Sequence, residues 1–129
     1  MSSFDDSLFL KRRAQSFLEN AKRNLEENNI DLAAFSVEQS VQLFLKFILF
    51  QKKGDYPKTH SLKVLFKEIS NFIPEFKKLF EDNLQLIGNL ESAYIGARYL
   101  PMIFLDEEVR MMINFAEKVK RLVEKHERK

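Results

Sequence analysis

The sequence predicts an all-α fold, an antiparallel bundle of four main helices plus one short helix. Three features carry that expectation. Gly and Pro number three each in 129 residues, too few to punctuate a strand-and-turn architecture. Apolar residues recur at spacings of three and four over long stretches, and no run alternates with period two. Thirteen Phe stand against no Trp, which supplies a core with large rings that ask for no hydrogen-bond partner. The length is that of a single domain, residues 1–129, able to bury one core without disulfides.

The first helix is expected from about Asp5 to Glu27, with Leu8, Phe9, Phe17, Leu18, Ala21 and Leu25 near helical spacing. Ser3 or Asp5 would cap it and "ENN" would close it. The second starts near Asp31 as N-cap and continues to Lys53, where Gly54 stops it. It is apolar on most sides from Phe35 to Phe50, so it should be the central, most buried helix. "GDYPKT" reads as a loop, because Tyr56 before Pro57 is held extended. A short helix follows from His60 or Ser61 to Phe72, with Thr59 as N-cap. Pro74 suits a first helical turn. The segment from Pro74 to Tyr99 is either one helix or two pieces broken at Asn83 or Gly88, and Pro101 stops it. Asp106 would cap a last helix running to about Glu124, and "EKHERK" reads as a fraying charged terminus.

Composition removes several functions. Without cysteine there are no disulfides, thiolate metal sites or cysteine nucleophiles. Two histidines, His60 and His126, lack ligand spacing, so no metal is expected. No glycine-rich phosphate loop, H-E-x-x-H or Ser/His/Asp set is present, and no cofactor is expected. The 21 basic and 19 acidic side chains leave a net charge of +2, far from the excess of an obvious nucleic-acid binder. The N-terminus has no signal-peptide order. The most apolar run, "VQLFLKFILF", is too short for a bilayer and holds Lys46. A cytoplasmic protein with no membrane contact is expected.

A few residues could carry chemistry, and each has two readings. His60 in "KTHSL" is either an ordinary first-turn residue or an imidazole beside helix amides that favour an anion. Lys46 either runs its stem along the helix to water or lines a cleft that needs positive charge. Tyr94 and Arg98 are four apart on one helix face, with Tyr99 about 100° around. They form either a surface pair or a reader of phosphate and base. The acidic "DEE" at 106–108 complements a helix N-terminus and is not read as a metal site.

Taken together, "AAFSVEQSVQLFLKFIL", "THSL" and "YIGARYLP" resemble the HEPN family (higher eukaryotes and prokaryotes nucleotide-binding domain). The resemblance covers nearly the whole chain. It departs at Leu100, inserted between the Arg-Tyr pair and Pro101. The family's ribonucleases use an Arg followed four to six residues later by His. Arg98 has no such His, and "RLVEKH" lies in the last helix, with side chains about 140° apart. The resemblance is therefore to the non-nuclease branch. It implies nucleotide or RNA binding by Lys46, His60, Tyr94, Arg98 and Tyr99, a minimal nucleotidyltransferase partner in a toxin–antitoxin-like pair, and a homodimer. The alternatives are a metal-independent ribonuclease using His60 and Arg98, or a purely structural interface.

Overall fold

The structure, a computed structural model, describes residues 3–99 and 103–128, with side chains described over 7–94 and 103–128. It is all-α among those residues. The helices are α1 (Ser3–Glu26), α2 (Ile30–Lys53), α3 (Leu62–Ser70), α4 (Pro74–Asp82), α5 (Leu84–Tyr99) and α6 (Asp106–His126). The four long helices are those expected. The Pro74–Tyr99 segment breaks at Asn83, whose backbone N–H reaches only the Phe80 carbonyl and whose side chain donates to the Leu79 carbonyl. A second nine-residue helix, α4, results.

Helix ends follow local hydrogen bonding more closely than residue type. Asn28, at φ 64°, turns the chain between α1 and α2, a conformation Asn tolerates better than most residues. The N-cap of α2 is Asn29 rather than Asp31. Gly54 ends α2 in the left-handed region, φ 84°, with its N–H on the Phe50 carbonyl, as a C-terminal glycine should. The N-cap of α3 is Ser61, not Thr59: Ser61 Oγ accepts from Val64 N, while Thr59 Oγ1 accepts from Ser61 N. His60 therefore precedes the helix. At α6 the N-cap position is Leu105, one residue before the expected Asp106, and Glu108 reaches back to accept from Leu105 N at 2.8 Å.

The long helices alternate in direction along the chain. The short link makes α1 and α2 an antiparallel hairpin, and Ala14 leaves room for Ser40 Oγ to donate to its carbonyl at 2.8 Å. Tyr94 lies beside Phe35, and Glu91 acts on Glu38, so α5 also opposes α2. Lys22–Glu117 and Lys11–Glu127 set α6 antiparallel to α1, which makes α6 run in the same direction as α2. That direction follows from the alternation itself, since in an up-down-up-down order the second and fourth long helices run the same way.

The central helix is α2. By length and composition it could cross a membrane, but α1, α3, α5 and α6 pack around it within the chain. No position from 33 to 51 is exposed. A second focus is Phe66 of α3, fully buried, with ring centroids 6.4 Å from Phe76, 5.6 Å from Phe80 and 6.0 Å from Phe115. It joins α3, α4 and α6.

The charged end does not fray. Lys125 Nζ and His126 Nε2 share Glu75 of α4 at 2.9 and 2.6 Å, and Glu127 holds Lys11. The Arg128 backbone N–H and guanidinium donate to the side chain and carbonyl of Gln51. Tertiary partners on three other helices overrode the expectation from charge and position.

Truncating the ring that three helices share leaves a cavity the backbone cannot close. Phe66→Ala should destabilise the protein by about 3–5 kcal/mol, read as a lower denaturant midpoint. Phe72→Ala, at a half-exposed ring (48% exposed), should change it far less.

Candidate ligand-binding site

Along the buried span of α2, the positions not fully covered are Phe35, Gln39, Leu43, Lys46 and Phe50. Their spacings of four, four, three and four make one stripe of the helix. Beside its beginning stands α5, and beside its end the loop that follows α2. At the first end, Tyr94 stacks with Phe35 (centroids 6.3 Å, 18° between planes) and with His60 (4.7 Å, 26°). The His60 ring is exposed and Tyr94 half-buried, so the stack has one face toward water. At the other end, Lys46 Nζ lies 5.4 Å from the centroid of Tyr56, and Tyr56 packs on Phe50.

Two of the residues singled out from sequence, His60 and Tyr94, are thus in direct contact. Lys46 engages a different set. Its ammonium donates to Gln42 Oε1 at 3.0 Å, and burial pushes its pKa below the usual lysine value. Arg98 and Tyr99 belong to α5, Arg98 one turn beyond Tyr94, but their side chains lie outside the described residues, as do Leu100 and Pro101.

The stripe borders a polar row inside the bundle. Gln42 Nε2 donates to Glu38 Oε2 at 3.0 Å and Gln39 Nε2 to Glu38 Oε1 at 2.7 Å. Lys46, Gln42 and Glu38 therefore form a ladder at successive i, i+4 steps. Glu38 is fully buried. Burial raises its pKa to about 7, against the pull of the two glutamine hydrogen bonds. The charge of Glu91 adds to the rise, and that of Lys46 opposes it. Glu91 has a role of its own: its Oε1 accepts from Lys63 N at 3.1 Å. A carboxylate of this chain thus already occupies an anion-attracting corner of the α3 N-terminus, the corner in which the sequence reading put a ligand's anion.

Sequence reasoning missed Glu38, Gln42 and Glu91. The first two had a signal, since "EQSVQLFLK" spaces Glu, Gln and Lys four apart in an otherwise apolar helix. Glu91 had none, because its partner is 28 residues away. In "RLVEKH", His126 is bound to Glu75. Among the described residues no cluster of His, Asp and Glu could hold a metal ion.

A family model for the HEPN domain matches residues 7–126 of the chain. No curated protein matches it.

The buried carboxylate makes stability depend on pH. Glu38 ionises near 4.5 unfolded and about 7 folded, so between those values the folded state holds a proton that the unfolded state has released. Its contribution is fully present below pH 4.5 and is lost as pH rises through 7. Between pH 5 and pH 8 the loss should be roughly 2–3 kcal/mol, at about 1.4 kcal/mol per pKa unit. Glu38→Gln should remove that part of the slope, measured by urea unfolding at the two pH values.

Proposed function

This chain belongs to the HEPN domain family, and on that premise we propose that it binds a nucleotide or an RNA end at the Tyr94–His60 stack, acting beside a small nucleotidyltransferase in a toxin–antitoxin-like pair. The family match supports a helical module that binds nucleotide or RNA, or acts on RNA in ribonuclease fashion. The observation that carries the site is the stack itself. An exposed imidazole held 4.7 Å from a half-buried phenol ring offers a flat, partly wet surface, and bases stack on such rings.

The residues divide the work as follows. His60 and Tyr94 receive the base. Arg98, one turn further along α5, meets phosphate, to which a guanidinium can fork. Tyr99 flanks it. Lys46 acts through the ladder, with its ammonium committed to Gln42 and the Tyr56 ring, and fixes the stripe on which Phe35 supports Tyr94. Phosphate does not sit at the Lys63 amide, where Glu91 would repel it. A homodimer, in which a second copy covers the stripe, is part of the same proposal.

Calorimetric titration with AMP, ATP and a short RNA, at low and moderate salt, tests it. Saturable binding that weakens with salt and falls at least about tenfold in Arg98→Ala is expected, since a charge-assisted hydrogen bond contributes about 1.5–3 kcal/mol. His60→Ala should weaken binding with little change in salt dependence. Unchanged affinity in both variants sinks the site. RNA cleavage in the presence of chelator, abolished by His60→Ala, would replace binding with the nuclease reading.

A further inference from the structure

The outward face of α1 carries a feature that the Tyr94 site does not use. Phe9, Arg12, Arg13, Ser16, Phe17 and Asn20 line a shallow groove along it. The inner face is apolar, with Ala14, Leu18 and Ala21 buried in the core. Two rows run down the outer face at one-turn spacing: Phe9, Arg13, Phe17 and Arg12, Ser16, Asn20. Arg23 extends the second and donates to Asn20 Oδ1. From residue 9 to residue 20 the groove is about 16 Å long, at 1.5 Å per residue.

The cations of α1 are sorted. Lys11 and Lys22, on its flanks, are spent on Glu127, just past the end of α6, and on Glu117 of α6. Arg12, Arg13 and Arg23 are exposed and enter no ion pair among the described residues. Glu19, on the same helix, lies 3.8 Å from Lys22. A chain of net charge +2 thus concentrates three arginines on one helix face. Arg13 holds its guanidinium 4.5 Å from the centroid of Phe9, a ring left 48% exposed. Phe9, left in solvent two turns before the half-buried Phe17 with guanidinium groups between them, gains little for folding.

We propose that this face of α1 is a docking surface for single-stranded RNA. Guanidinium groups fork onto phosphate oxygens and are weakly hydrated enough to leave water readily. Exposed Phe rings stack on bases without regard to sequence. The alternation of the two along a groove matches a strand whose phosphates and bases face one surface together, whereas an acidic protein segment would use the arginines and leave the rings idle. The proposal shares the ligand's chemistry with the reading above but not its residues, and it stands if the Tyr94 stack binds nothing.

The test is fluorescence anisotropy with a labelled twelve-nucleotide single-stranded RNA of mixed sequence, using the full chain across a salt series. Arg12→Glu/Arg13→Glu should weaken binding more than tenfold and reduce the magnitude of the log–log salt slope by about 1.4, two phosphate contacts at about 0.7 each. Arg12→Ala/Arg13→Ala should do the same more mildly, which guards against a fault specific to charge reversal. Phe9→Ala should weaken binding about fivefold or more, from the loss of one stacked base, with the salt slope unchanged. Lys78→Glu, on the exposed side of α4, should keep at least half the affinity in this assay. AMP should bind Arg12→Glu/Arg13→Glu as tightly as it binds the wild type, which separates this face from the Tyr94 site. Wild-type affinity in both arginine doubles overturns the proposal. An equal loss in Lys78→Glu overturns it too, by showing general charge attraction. So does capture of a poly-glutamate peptide, but not of RNA, through Arg12 and Arg13.

Discussion

The constraint on which the rest depends is that α2 gives almost none of itself to water. From Ala33 to Gln51 no residue is exposed, and four other helices supply the cover. A helix in that position can carry polar groups only if they are satisfied inside the bundle. Glu38, Gln42 and Lys46 meet the condition with one another, at 3.0 Å per step. Ser40 meets it by donating to the Ala14 carbonyl. No buried side-chain nitrogen or oxygen is left without a partner among the described residues. The ladder is thus the form that polarity must take on this helix, and the raised pKa of Glu38 is the remaining cost of its burial.

The same constraint places the candidate site. A helix covered on every side but one stripe has a single place where a ligand or a second copy can reach it. The rings of Tyr94 and Tyr56 stand at the two ends of that stripe, delivered by α5 and by the loop after Gly54. Charge, by contrast, is used mainly to fasten helices. Glu75, Glu117, Glu127 and Glu68 each hold a cation from another helix. Exposed pairs of this kind contribute little individually, but they fix which ends meet.

Much of this was legible in the sequence. The apolar stretch from Phe35 to Phe50 marks the central helix, Gly54 its end and Pro74 the start of a new one, because each acts through local backbone geometry. Ser61 was harder to place than Thr59 because both can cap, and the choice depends on which hydroxyl reaches Val64 N. The stack of His60 on Tyr94 was anticipated only as membership of one cleft. Residues 34 apart in sequence meet through the path of a loop, and spacing does not encode that path. Glu91 on the Lys63 amide was invisible for the same reason. The parallel course of α6 and α2 follows from the alternation of four long helices, but that α6 packs directly against α2 is a matter no periodicity reports. The closing residues misled most. Charge and terminal position suggest solvent, and only the fold shows that Glu75, Lys11 and Gln51 wait there to receive them.

Lys11 and Glu127 are 116 residues apart, and their contact has a meaning for how the molecule is made. The α1–α2 hairpin can form as soon as its own residues exist, since its contacts are local. It cannot be finished then. The side of α2 that receives Val109, Met112, Ala116, Val119 and Val123 has no cover until α6 has been synthesised and brought back. A growing chain therefore carries a half-clothed hydrophobic helix through most of its synthesis, the circumstance in which nascent proteins associate wrongly. The apolar face of α6 is what ends that exposure, and the charges that follow it fasten the closed form.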